Sequence, residues 1–251
     1  MDDKGLYLTI DRGNTTTKMS LWCGSTPCGF VRLDNAPSME DLNALTGRKP
    51  LRAAIVSSVS TIDDEFLDAL ARMTQRPVII LGPDTPLPLA NGYATPSTLG
   101  PDRLAAAVGA YDIAGPRREI LVADLGTAAT FDHITADGCF TGGVISPGVS
   151  MRLQALADHT ARLPRLDADP GRRKLFGDAT ASAMISGAYN GVAAELCYYL
   201  SHCSDTCAVI VTGGNAPEII AITDEPLRSR LTYCRDLTAR GLKRILDHNE
   251  S

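Results

Sequence analysis

The chain has 251 residues, of which 44% are hydrophobic and 21% charged, and a formal net charge of −5. That is enough chain to bury a substantial core in one large or two small domains, with the composition of an ordinary globular protein. The acidic balance argues against a nucleic-acid surface, and no apolar run reaches the roughly 18 to 20 residues of a membrane span.

The opening MDDKGLYLTID runs into a strand without a signal-peptide pattern, so a cytoplasmic location is expected. Seven cysteines, an odd number, form no C-x-x-C pair, and none of the four histidines has metal-site spacing with a second His or a Cys. Reduced, mostly buried thiols are therefore expected, with neither a zinc site nor a Ser-His-Asp triad.

In chain order, the first half reads as strands 6–11, 17–23 and 28–33, helix 38–46, strand 53–58, helix 62–73 and strand 77–81. Hairpins followed by β-α-β-α-β imply a mixed sheet flanked by helices. A Pro- and Gly-rich stretch follows from Leu81 to Arg103, too interrupted for regular structure and of the length that usually carries function. It contains Tyr93 and ends Gly100-Pro101-Asp102-Arg103. Residues 103–114 read as an Ala-rich helix, which puts Asp102 and Arg103 at or just before its N-terminus, where the helix dipole favours an anion.

The second half repeats the hairpins as strands 119–124, 128–134 and 139–145, with a turn at Asp137-Gly138. Gly142-Gly143 and Pro147-Gly148 are read as bracketing a further turn into helix 149–158. The basic cluster Arg172, Arg173 and Lys174 reads as a solvated loop. A long helix near 179–202 suits a core or dimer element, strand 207–212 ends in Thr212-Gly213-Gly214-Asn215, and a closing helix lies near 236–247. The Gly213-Gly214 pair admits two readings, a close approach to a nucleotide or a turn and nothing more. Thr180, opening the long helix after Asp178, reads by itself as part of an N-cap.

One local pattern occurs twice. LTIDRGNTTTK, with its acid at Asp11, and LVADLGTAATFD, with its acid at Asp124, each end an apolar run in Asp-x-Gly, add a hydroxyl residue and begin a second strand. Gly13 and Gly126 lack a Cβ and can take positive φ, so backbone N–H groups can approach an anion. Asn14, Thr15, Thr16 and Thr127 add side-chain donors, Lys18 adds a charge, and Asp11 and Asp124 can hold a cation against phosphate oxygens. A single such motif is more often a hairpin turn; two copies about half a chain apart point to polyphosphate and metal, met from both sides of a cleft between related halves.

These motifs, with Tyr93, Pro96, LGPDR at 99–103 and GGVISPG at 142–148, resemble those of the type III pantothenate kinases, in the same order and over nearly the whole length. The family lies in the superfamily of acetate and sugar kinases, heat-shock chaperones and actin. The resemblance implies an α/β fold of two related actin-like (ribonuclease H-like) domains with mixed sheets flanked by helices, expected at 1–114 and 115–251 with the final helix free to cross back. It also implies transfer of the ATP γ-phosphoryl group to pantothenate, the first step toward coenzyme A.

Carried over onto this chain, Asp102 is the expected general base, and Tyr93, Gly100, Pro101, Arg103 and Thr180 are expected to hold pantothenate. Asp11, Arg12, Gly13, Asn14, Thr15, Thr16, Thr17, Lys18 and Thr127 are expected at the ATP phosphates. Magnesium is placed at Asp11, and the family's monovalent cation, potassium or ammonium, at Asp124. Thr180 is expected to act from a neighbouring subunit, which requires a homodimer; no nucleic acid or membrane partner is expected. Asp178 departs from the amide-bearing residue of the family pattern, Arg12 fills a variable position, and only the loose TGGNA at 212–216 marks an adenine pocket. The competing readings are a non-catalytic regulator of the same fold, and a superfamily kinase or phosphohydrolase acting on another small metabolite.

Overall fold

The structure, a computed structural model, describes residues 5–250; Met1–Lys4, the start of the segment read as leading into the first strand, lie outside the described residues, as does Ser251. The chain forms two compact units: one runs to Ile113 and resumes at Asp236, and the other is Ala114–Arg235.

In the first unit, β1 (Leu6–Arg12), β2 (Thr17–Cys23) and β3 (Thr26–Leu33) form an antiparallel meander. Helix α1 (Met39–Thr46), β4 (Ala53–Ser58), α2 (Asp64–Met73) and β5 (Ile79–Ile80) follow. The sheet order is β3-β2-β1-β4-β5, with β4 parallel to both neighbours. Ser38 and Asp41 form a capping box at the start of α1, and Asp63 caps α2, satisfying N–H groups the helices cannot pair internally. Leu8, Ile10, Met19 and Leu21 pack with Val56, Leu42, Phe66 and Leu70 into the core beneath these helices. The Pro- and Gly-rich stretch holds only β6 (Ala90–Asn91) and one 3-10 turn at Pro96–Thr98 before α3 (Pro101–Ala114).

The second unit repeats this plan. Strands β7 (Ile120–Leu125), β8 (Ala128–Ile134) and β9 (Cys139–Pro147) form the meander. Helices α4 (Val149–Asp158) and α5 (Thr180–Ser201) lead to β10 (Ala208–Thr212), α6 (Ala216–Ile222) and β11 (Leu231–Tyr233). Strand order within the unit is β9-β8-β7-β10-β11, again with the last two strands parallel. Met184, Ile185, Ala188, Tyr189, Val192, Leu196 and Leu200 recur at helical spacing and are buried, which makes α5 the main core helix of the unit.

Three sequence expectations need correcting. Gly142-Gly143 lies inside β9, not at a turn: Gly143 sits against Asp132, where a Cβ would meet Oδ1 at 2.5 Å. Helix α6 and strand β11 were not anticipated, because each is too short to show a period. Of the seven free cysteines only Cys207 is buried; Cys28 is exposed and the others lie between.

The closing helix α7 (Leu237–Glu250) packs on β1 and β4 of the first unit. Its Gly241 meets α3 backbone to backbone, with Ala105 occupying the place a Cβ would take, and Gly109 of α3 would likewise put a Cβ 2.5 Å from the Leu237 carbonyl oxygen. Lys243 extends over the Tyr7 ring, Nζ 4.2 Å from its centroid. Among the described residues no helix is long and apolar enough to cross a membrane.

Candidate active site

The first Asp-x-Gly loop is the tip of the β1–β2 hairpin. Register pairs Asp11 with Lys18 and Arg12 with Thr17, and Gly13 N–H donates to the Thr16 carbonyl at 2.9 Å, closing a tight turn. Asn14 and Thr15 are exposed at that tip, and Thr16 is half-buried beside them. Thr17 is fully buried, its hydroxyl donating to the Asn35 carbonyl at 2.7 Å. Arg12 Nη1 reaches the same carbonyl at 3.3 Å, so both side chains brace the hairpin from behind. Neither Gly13 nor Gly126 takes a positive φ; the missing Cβ, not the left-handed region, is what these glycines contribute.

Asp11 is 14% exposed, with Lys18 Nζ 4.0 Å from its Oδ2. Burial pushes its carboxyl up to about 6, with the charge of Asp102 acting in the same direction and Lys18 opposing. The influence of Asp102 at Asp11 shows that the fold brings together two acids 91 positions apart in the sequence. A buried carboxylate so poorly compensated suits a cation, and its hard oxygens suit magnesium.

Pro101 occupies the first position of α3, where a missing N–H costs nothing and the fixed φ suits a helix. Asp102 therefore falls in the first helical turn, its Oδ1 accepting from the Arg103 N–H at 2.9 Å. Gly100 leaves room for the carboxylate in this position, since a Cβ there would lie 2.5 Å from Asp102 Oδ1. Arg103 is buried, and its guanidinium carbon lies 5.7 Å from the centroid of the Tyr93 ring. The Tyr93 N–H is held by Asn91 Oδ1 at 3.1 Å. One carboxylate, one guanidinium and one phenol thus gather at the N-terminus of α3.

The second loop joins β7 to β8 in the other unit. Asp124 is half-buried in β7 between the buried Ala123 and Leu125, and Thr127 is exposed at the turn, where Gly126 N–H donates to the Ala128 carbonyl at 3.0 Å. Two later segments close on it. Gly148 N–H donates to the Thr127 carbonyl at 3.1 Å, and Asn215 N–H to the Leu125 carbonyl at 2.9 Å. Gly213, at φ +97°, would put a Cβ 2.6 Å from Asp124 Oδ1. Of the two readings left open for Gly213-Gly214, the turn is present, and it packs directly on the acid of the second loop. Sequence reasoning missed this role; a glycine pair after an apolar strand was the only signal.

Thr180 is the first residue of α5 and is exposed. It is not the cap: Ser182 Oγ accepts from the Ala179 N–H at 3.0 Å and donates to Asp178 Oδ1 at 3.1 Å, while Lys174 holds Asp178 from the other side at 2.5 Å. Asp178 therefore organises the helix start and leaves the Thr180 hydroxyl at the surface.

A doubled β-meander with parallel extensions, carrying an Asp-x-Gly turn at the same place in each copy, defines an actin-like fold. The chain belongs to the type III pantothenate kinase family, whose sequence profile matches residues 7–201. A type III pantothenate kinase of Bacteroides fragilis is 38% identical over 97% of this chain and 98% of its own length, and one of Phocaeicola vulgatus is 36% identical over 98% and 99%. Among solved structures, a putative Baf family transcriptional activator from Campylobacter jejuni superposes with a TM-score of 0.59 at 22% identity, covering 97% of this chain and 98% of that one. A glucokinase of the ROK family from Streptomyces griseus, solved with glucose and AMPPNP, gives 0.57 at 13% identity over 98% and 100%. These last two likenesses concern the fold.

Proposed function

We propose that this protein transfers the γ-phosphoryl group of ATP to the primary hydroxyl of pantothenate in the cytoplasm, with Asp102 as the general base. The observation that carries this reading is the group formed by Asp102, Arg103 and Tyr93 at the start of α3, in the same unit as the first phosphate loop. Phosphoryl transfer asks for an in-line hydroxyl, a nearby base and a donor-rich surround for the charge on the γ-phosphate. Asp102 accepts the hydroxyl proton as the P–O bond forms, and a carboxylate suffices because that proton leaves late. Arg103 offers the planar fork that pairs with the pantothenate carboxylate.

Asn14, Thr15, Thr16 and Lys18 line the exposed side of the first hairpin and donate to phosphate oxygens, as does Thr127 from the second loop. Asp11 would hold magnesium and Asp124 a potassium or ammonium ion, which together supply positive charge at the phosphates. Thr180 completes the pantothenate site of a partner subunit in a homodimer. Purified protein with ATP, magnesium and potassium, offered pantothenate, sugars and acetate in turn, tests the whole reading. Phosphopantothenate is the expected product; phosphate release without it sinks the proposal. Mixing Asp102→Asn and Thr180→Val proteins tests the shared site, since a mixed dimer regains one intact site only if Thr180 acts across subunits.

A further inference from the structure

At the end of β7 away from its own phosphate loop, the second unit assembles a donor set for which the phosphotransfer reaction has no use. Strand β10 pairs in parallel with β7, Ala208 opposite Ile120, and the Ala208 N–H donates to the Glu119 carbonyl at 2.8 Å. That register puts Cys207 beside Glu119. The C-terminal turn of α5 then delivers Cys203, whose Sγ lies 3.4 Å from the Tyr199 carbonyl oxygen. The Sγ atoms of Cys203 and Cys207 and a carboxylate oxygen of Glu119 all lie within 4.8 Å of one another.

We propose that Cys203, Cys207 and Glu119 form a binding site for a thiophilic divalent cation of the zinc type. Tetrahedral zinc with sulfur and oxygen ligands sets its donor atoms about 3.5 Å apart, so a contraction of about 1 Å brings these three into range. Two thiolates and a carboxylate are a poor match for magnesium or potassium, which take oxygen ligands, and a good one for zinc or cobalt.

The carboxylate is already aimed. Ser204 N–H donates to Glu119 Oε2 at 2.9 Å, and His133 Nε2 sits 3.0 Å from Oε1, with its Nδ1 2.9 Å from the Thr141 hydroxyl. Such outer partners fix the orientation of a metal ligand. Hydrogen bonds from Ser204, with help from His133, hold the Glu119 carboxyl below the usual range, so it is present as the anion.

Cys203 and Glu119 are only partly covered, which leaves an approach for the metal and a fourth position for water. Burial pushes the Cys207 thiol up to about 12, so the ion must displace its proton; both thiol protons leave to solvent and no group is oxidised. The bound ion joins the end of α5, the start of β10 and the start of β7. Asp124 lies toward the opposite end of β7, five residues or about 16 Å along the strand, so this site is separate from the second phosphate loop.

Full-length protein, stripped with a chelator and kept reduced with a thiol-free reductant, is titrated with cobalt and then zinc. One cobalt per chain with thiolate-to-cobalt charge-transfer absorption, displaced by zinc, is expected, together with a rise in melting temperature. Cys203→Ser should remove most of that absorption, and Glu119→Gln should weaken zinc binding at least about tenfold, with unchanged circular dichroism in both variants. Absence of the charge-transfer absorption in folded, reduced wild-type protein overturns the site. So does absorption that survives both substitutions, which marks adventitious binding elsewhere.

Discussion

The Arg103 guanidinium lies over the ring of Tyr93, 5.7 Å from carbon to centroid, and so couples the Pro- and Gly-rich loop to the first turn of α3. The pair holds the fork of Arg103 in one orientation before any ligand arrives. A cation–π contact of this kind contributes ~0.5–2 kcal/mol. Tyr93→Ala should therefore raise the KM for pantothenate about two- to thirtyfold, while Tyr93→Phe keeps the ring and costs less. Steady-state kinetics with pantothenate varied at saturating ATP distinguish the two; equal loss in both variants would assign the effect to the phenol oxygen instead.

Asp102→Asn keeps the shape of the helix start and removes the proposed base. Turnover should fall about 10²- to 10⁴-fold, with ATP affinity by calorimetry nearly unchanged. Retained turnover would remove Asp102 from the base role.

Gly100→Ala should separate geometry from chemistry. The new Cβ would lie 2.5 Å from Asp102 Oδ1; the carboxylate is at the end of a movable side chain, so it swings away and the fold survives. The expected result is a kcat at least about tenfold lower with a melting temperature close to wild type, since a misplaced catalytic group costs rate before stability.

Asp11 makes a prediction about pH. Its carboxyl, ordinarily at 3.8, is raised to about 6 in the folded protein, so the native state binds the proton more tightly than the unfolded chain. Stability of the ligand-free protein then falls as pH rises from about 4 to about 6, and the penalty stays in place above that window. Its size is about 3 kcal/mol at most. Asp11→Asn should flatten this dependence in denaturant titrations at pH 4, 5, 6 and 7, and raise stability at pH 7 even as activity is lost. An unaltered slope would show that Asp11 is not the group responsible.

Gly241→Ala tests the docking of α7. A Cβ at that position would overlap the Ala105 carbonyl, where neither backbone can yield cheaply. Destabilisation of about 3 kcal/mol or more is expected by chemical denaturation, the upper range of overpacking. A near-neutral result would mean that α7 shifts without loss.

Much of the molecule was legible as sequence because the signals are local. The strand-turn-strand around Asp11 and Asp124, the long apolar face of α5 and the Ala-rich run of α3 each depend on residues within a few positions of one another, where turn chemistry and side-chain period act directly. Tertiary structure decided what depends on strand order. It set α7 against β1 and β4, pressed Gly213 onto Asp124 and tied Arg12 and Thr17 to Asn35. It also raised the carboxyl of Asp11 through burial beside Asp102, and gathered Cys203, Cys207 and Glu119 at the far end of β7. Burial, charge proximity and close backbone approach are properties of distances in space, and residues distant in the sequence acquire such distances only when the sheets assemble.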